Sequence, residues 1–247
     1  MTPETDPDSF TIPLDTGAVT ALHYAAAAPV AGHALRPGSG HALGPSVGQA
    51  TFICAHGAGS HQRHASITAI AHGLAALGID VVTFNFGYMD QKRRVPDKAP
   101  VLEARYREVI DIVVREVPSA SRTLFIGGKS MGGRMATHVA AADHGLASFA
   151  RVRGLVLLGY PLHPPGQPLK LRDAHLPAIT RPALFVQGSR DTFGTPGELQ
   201  PVLARMQPPP TLHVVEGGDH SFKVSGRKDV DASVQGMILD WIARLAG

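Results

Sequence analysis

The sequence predicts an α/β fold in three layers, a mostly parallel sheet between two layers of helices. Two patterns carry that expectation. Apolar runs at 51–55, 80–86, 123–126, 152–158, 183–187 and 211–215 are rich in Val, Ile, Leu and Phe. They are continuous rather than alternating, as strands buried on both faces are. Segments of helical length separate them, and strands that alternate with helices build parallel sheets. The 247 residues are 44% hydrophobic, which is enough for one domain, 1–247, with a sizeable core.

Each element follows in order. Residues 10–14 and 19–24 read as a short antiparallel pair that turns at Asp15-Thr16-Gly17. The start of the chain, 1–9, is expected to be flexible. An Ala/Gly/Pro/His-rich stretch occupies 25–49, where Gly32-His33-Ala34-Leu35 recurs as Gly40-His41-Ala42-Leu43. It reads as a loop insertion with a local duplication, too short and too Gly-rich for a repeat architecture. No Cys or carboxylate accompanies His33 and His41, so no metal site is expected there. Helices are expected at 63–77, 100–117, 131–142, 196–206 and 230–245, between and after the strands. A Pro-rich connection, 160–180, follows the strand at 152–158. Prolines disrupt helix interiors, so no large cap domain is expected from it.

Composition excludes several functions. The formal charge is only +3, and no dense Lys/Arg face supports nucleic-acid binding. The run Lys92-Arg93-Arg94 is short and reads as a solvated loop. Cys54 is the only cysteine, so there is no disulfide framework. It lies in an apolar strand and reads as a packed, inert thiol. The N-terminus is acidic and Pro-rich, without the basic and apolar regions of a secretory signal. No apolar run reaches transmembrane length. A cytoplasmic protein without membrane contact, metal or cofactor is expected.

The chemistry is concentrated at Gly128-Lys129-Ser130-Met131-Gly132, directly after Leu124-Phe125-Ile126. A strand, then G-x-S-x-G, then a helix is the context of a nucleophile elbow. Such a turn holds the serine in a strained conformation with its hydroxyl above the sheet edge. An ordinary strand–turn–helix would leave only a solvent-facing serine. A serine hydroxyl needs a base, and the base needs an orienting acid. Asp191 lies on the loop leaving the strand at 183–187, and His220 follows the last strand. Both loops leave the C-terminal ends of parallel strands, where the elbow also opens. Ser130, His220 and Asp191 are therefore read as nucleophile, general base and acid. Asp219 and Glu216 are less well placed alternatives for the acid. An oxyanion hole needs two backbone N–H groups. Met131, after the nucleophile, offers one. The segment His56-Gly57-Ala58-Gly59 offers the other, from Ala58 with Gly59 next. Lys129, Arg190, His163 and Lys223 flank this region as possible ligands for an anionic acyl or leaving group, though such residues are usually just solvated.

These motifs resemble the α/β-hydrolase superfamily, in which the chain order is Ser, acid, His. The likeness covers about residues 50–245. More narrowly, Phe84-Asn85-Phe86-Gly87-Tyr88, Gly159-Tyr160-Pro161-Leu162-His163-Pro164-Pro165-Gly166, Leu171-Arg172-Asp173-Ala174-His175-Leu176-Pro177 and Gly218-Asp219-His220-Ser221-Phe222-Lys223 are similar to a hydrolase-like family. That family is the one of testis-expressed and non-specific lethal chromatin-complex subunits, with many bacterial members. Dienelactone hydrolases are a more distant likeness, with Cys where this chain has Ser130. Two features depart from the narrower family: the polar run Ser60-His61-Gln62-Arg63-His64 and the long loop 25–49. The resemblance implies hydrolysis of a small-molecule ester or related acyl bond through an acyl-enzyme. Because the narrower family includes protein partners, it also implies an alternative, an idle scaffold for protein–protein interaction. A third reading is acyl transfer to an acceptor other than water.

Overall fold

A computed structural model describes residues 7–12, 19–27, 50–142, 145, 147–227 and 230–246. The turn Asp15-Thr16-Gly17, most of the 25–49 stretch and both of its histidines lie outside the described residues.

Eight strands run in chain order: β1 (Asp8–Ile12), β2 (Val19–Tyr24), β3 (Ala50–Ala55), β4 (Asp80–Phe84), β5 (Thr123–Lys129), β6 (Val152–Leu158), β7 (Ala183–Gly188) and β8 (Thr211–Val215). Among the described residues they form one sheet, in the order β1-β2-β4-β3-β5-β6-β7-β8. The pairs β1–β2 and β2–β4 are antiparallel. All others are parallel. The helices are α1 (Ala65–Ala76), α2 (Gly87–Asp90), α3 (Ala99–Glu116), α4 (Met131–Ala141), α5 (Pro196–Leu203) and α6 (Val230–Ala246).

Side-chain alternation along each strand divides the core in two. Ile53, Ile126, Leu157 and Phe185 pack with α3, α4 and α5. Phe52, Phe125, Val156 and Leu184 pack with α1 and α6 on the opposite face. Both faces are covered, so the strands read as continuous apolar runs. Among the described residues the edge strand β8 departs from this, with only Val215 buried.

β1 begins at Asp8, within the start expected to be flexible and two residues before the expected 10, and α1 begins at Ala65 rather than 63. Three other boundaries differ for a local reason. β4 ends at Phe84 because the Phe86 N–H is taken by the His56 ring rather than by a neighbouring strand. β5 runs on through its glycines to Lys129, paired to β3 and β6 on either side. α5 stops at Leu203, and the chain tightens into an i→i+3 turn at Met206 ahead of Pro208-Pro209-Pro210. α2 and the short 3₁₀ turn Ala147–Arg151 were not anticipated, since neither is long enough to show a helical period.

The connection after β6 contains a single 3₁₀ turn, Leu176–Ala178, and no α-helix. That connection therefore builds no helical cap over the C-terminal edge of the sheet. Among the described residues, no helix is long and apolar enough to cross a membrane.

Candidate active site

The site is built where β3, β5, β7 and β8 end. At the end of β5 the chain must turn straight into α4 while α4 lies close over β3. Gly128 has φ +141°, and a Cβ there would meet the Ala55 carbonyl oxygen at 2.2 Å. A Cβ on Gly132 would meet the same oxygen at 2.4 Å. A side chain at Gly128 would push β5 from β3, and one at Gly132 would push α4 from β3. Beneath the turn, the buried Tyr106 hydroxyl accepts the Gly127 N–H at 2.9 Å and donates to the Gly127 carbonyl at 2.7 Å. Ser130 itself has φ 51° and ψ −115°, a strained conformation for a non-glycine residue. Its N–H donates to the Leu158 carbonyl of β6, at 2.9 Å.

His220 reaches this serine from the loop after β8. Its Nε2 lies 2.9 Å from Ser130 Oγ, and its Nδ1 lies 2.8 Å from Asp191 Oδ2. The carboxylate accepts from Nδ1–H, so the Nε2 lone pair is left for the serine proton. Asp191 is 1% exposed. Its Oδ2 also accepts from Gln187 Nε2 at 2.8 Å, and its Oδ1 accepts the Phe193 N–H at 2.8 Å. The Phe193 ring stacks on the His220 imidazole with centroids 4.2 Å apart. Asp219 turns away: its Oδ1 accepts from the Ser221 and Lys223 N–H groups. Glu216 stands exposed just past β8.

The loop after β3 lies against Ser130. A Cβ on Gly57 would stand 3.5 Å from Ser130 Cβ. Its conformation is set by His56, which is fully buried. The Phe86 N–H donates to His56 Nε2 at 3.2 Å, so Nδ1 must carry the ring proton, and it donates to the Gly57 carbonyl at 2.8 Å. The bond accepted at Nε2 requires a neutral ring. Burial lowers the His56 pKa to about 4, with the charge of His61 adding to the effect and the Gly57 carbonyl opposing it. A trans peptide is planar, so fixing the Gly57 C=O aims the Ala58 N–H the opposite way. His56→Ala is expected to lower kcat by roughly 10–100-fold with little change in KM, because the loop loses its aim. Steady-state kinetics check this, and a wild-type kcat would remove His56 from the account.

Of the flanking residues picked from sequence, Lys223 is exposed, and the other three are engaged within the protein. His163 donates from Nδ1 to the Pro164 carbonyl at 2.9 Å, and its Nε2 lies 3.3 Å from Glu198 Oε1. Arg190 Nε donates to the Gly217 carbonyl at 2.9 Å. Lys129 Nζ donates to the His220 carbonyl. Ala58 and Gly59 are exposed, and Met131 begins α4. Gln187, Phe193 and the part played by His56 were not read from the sequence. A polar Gln inside the apolar run Leu184-Phe185-Val186-Gln187 was the available signal for the first. Cys54 faces α1 and α6, and burial pushes its thiol up to about 12.

A family model described as an alpha/beta hydrolase domain matches residues 48–243. The chain belongs to that family. Solved structures share the fold over nearly the full length. XC6422 from Xanthomonas campestris, an α/β serine hydrolase without a lid, is 22% identical with a TM-score of 0.71, covering 96% of each chain. Dienelactone hydrolase from Anabaena variabilis is 15% identical with a TM-score of 0.68, covering 98% of this chain and 99% of its own. Est1E from Butyrivibrio proteoclasticus, solved with ferulic acid bound, is 13% identical with a TM-score of 0.69, covering 96% of this chain and 98% of its own. The protein is an α/β hydrolase.

Proposed function

We propose that this α/β hydrolase is a serine hydrolase of carboxylic esters or related acyl bonds. The observation that carries the reading is the unbroken chain Ser130 Oγ–His220 Nε2–Asp191 Oδ2, with bonds of 2.9 and 2.8 Å. Ser130 Oγ attacks the ester carbonyl carbon as its proton passes to His220 Nε2. The Ala58 and Met131 N–H groups receive the oxyanion. The imidazolium, held by Asp191, gives its proton to the departing alcohol, and an acyl-enzyme remains. Water then gives a proton to His220 and attacks the acyl carbon. Ser130 recovers that proton as the carboxylic acid leaves. No metal or cofactor takes part in these steps.

A fluorophosphonate probe tests the reading, since only an activated serine is labelled. An idle scaffold of the kind found in the narrower chromatin-complex family would stay unlabelled. Added alcohols or amines would reveal acyl transfer in the product mixture. A substrate screen should include feruloyl esters, because the Est1E structure holds ferulic acid.

Two further outcomes follow. Cys54→Ala should leave labelling and turnover within a few-fold of wild type, because a buried protonated thiol supplies no nucleophile. Inactivation by iodoacetamide that tracks Cys54 modification in folded protein would contradict it. Short acyl esters should also be preferred. The connection after β6 offers no helix to wall the site. Each buried methylene is worth about 0.8 kcal/mol, and without a wall that gain is lost. Acetyl and butyryl p-nitrophenyl esters should exceed palmitoyl in kcat/KM below the micelle threshold. A steady rise with chain length would refute this.

A further inference from the structure

The nucleophile turn carries a lysine whose side chain stays inside the protein. Lys129 Nζ donates to the backbone carbonyl of His220 and lies 5.0 Å from the centre of the Phe222 ring. Gly159, at the end of β6, makes the room. A Cβ there would stand 2.6 Å from Nζ, 3.0 Å from the His220 carbonyl oxygen and 3.4 Å from the His220 ring. The turn before Ser130, the end of β6 and the loop after β8 therefore meet at one nitrogen. That loop needs holding, because Phe222 has φ 63°, a region that side chains avoid.

We propose that Lys129 is a positioning residue, whose ammonium clamps the His220 loop onto the nucleophile turn. The inference rests on the serine-hydrolase reading above. Lys129 and Ser130 are chain neighbours, and His220 answers both. Its ring meets Ser130 Oγ and its carbonyl meets Lys129 Nζ. The lysine bond thus ties the His220 backbone to the turn from which Ser130 projects, and so helps to set the distance between the serine and the imidazole.

The clamp is also titratable. Burial disfavours the ammonium, while the Asp191 and Asp219 carboxylates favour it. Burial prevails, and the pKa falls from 10.5 to about 8. Besides these carboxylates, the His220 carbonyl and the Phe222 ring face the nitrogen. Losing the proton removes the cation–π attraction and the charge assistance of the hydrogen bond. The loop is therefore held below about pH 8 and loosened above it.

The test compares wild type with Lys129→Met and Lys129→Arg in the full chain. Amide-exchange protection across 217–224 and the fluorophosphonate labelling rate are read from about pH 6.5 to about pH 10, spanning the lysine titration. In wild type both should fall together above about pH 8. Lys129→Met should lower loop protection and slow labelling by about tenfold or more at neutral pH, the scale of a misplaced reacting group, and should lose the alkaline fall. Lys129→Arg keeps a charge through this range, so its alkaline fall should also disappear. Wild-type loop protection in Lys129→Met, or an unchanged alkaline fall in either variant, would overturn the clamp. Exchange is read without any reaction. Failure of wild type to label would therefore strike the hydrolase reading separately.

Discussion

Ser130→Ala should abolish fluorophosphonate labelling and lower ester turnover by a factor on the order of 10⁴ or more, the loss typical of a triad nucleophile. The fold should survive. The backbone bonds of residue 130, to Leu158 and from Arg134, do not involve the hydroxyl. The variant also keeps the strained φ of 51°, which alanine adopts no less readily than serine. Thermal melting and circular dichroism should therefore match wild type while activity disappears. Substantial turnover in the purified variant would exclude Ser130 as the nucleophile.

Asp191→Asn should cost about 10³–10⁴ in kcat, because the amide favours the wrong imidazole tautomer. The surroundings sharpen that expectation. Oδ1 accepts the Phe193 N–H, and Oδ2 accepts both Gln187 Nε2 and His220 Nδ1. Either carboxylate oxygen, once replaced by an NH₂ group, would face an N–H donor. The variant therefore loses its orienting bond or buries opposed donors, at a stability cost of roughly 1–3 kcal/mol. Glu216→Gln should change little, since Glu216 is exposed beyond β8. Asp219→Asn should cost much less than Asp191→Asn. A wild-type Asp191→Asn beside an inactive Glu216→Gln would show that the acid is elsewhere.

Much of the fold was legible in the sequence because burial on both faces writes strands as continuous apolar runs. That is why the spans of β3, β6 and β7 match their apolar runs within a residue. Elements without such a period were hidden. α2 has one turn, and β5 extends through glycines that read as a turn. The spacing of Ser130, Asp191 and His220 follows from a topology that brings these strand ends to one edge. Their supporting groups were harder to see. Gln187 acts through a side chain inside a strand, and His56 acts by holding a carbonyl one residue away. Phe193 and Lys129 take their places from contacts between segments distant in sequence, which no local pattern encodes. Lys129, read as a surface cation near the site, instead has its charge turned inward.

The close approach of β5 and α4 to the end of β3 means that the position of Ser130 depends on atoms that are missing. Gly128 and Gly132 both abut the Ala55 carbonyl oxygen, which has no side-chain freedom with which to give way. A hydrogen-bonded support can be weakened by degrees, through a longer bond or a poorer donor. A vacancy smaller than a methyl group has no intermediate setting. The turn is thus closed to gradual tuning at these two positions. The loops around the serine are free to vary, while the geometry beneath it stays fixed.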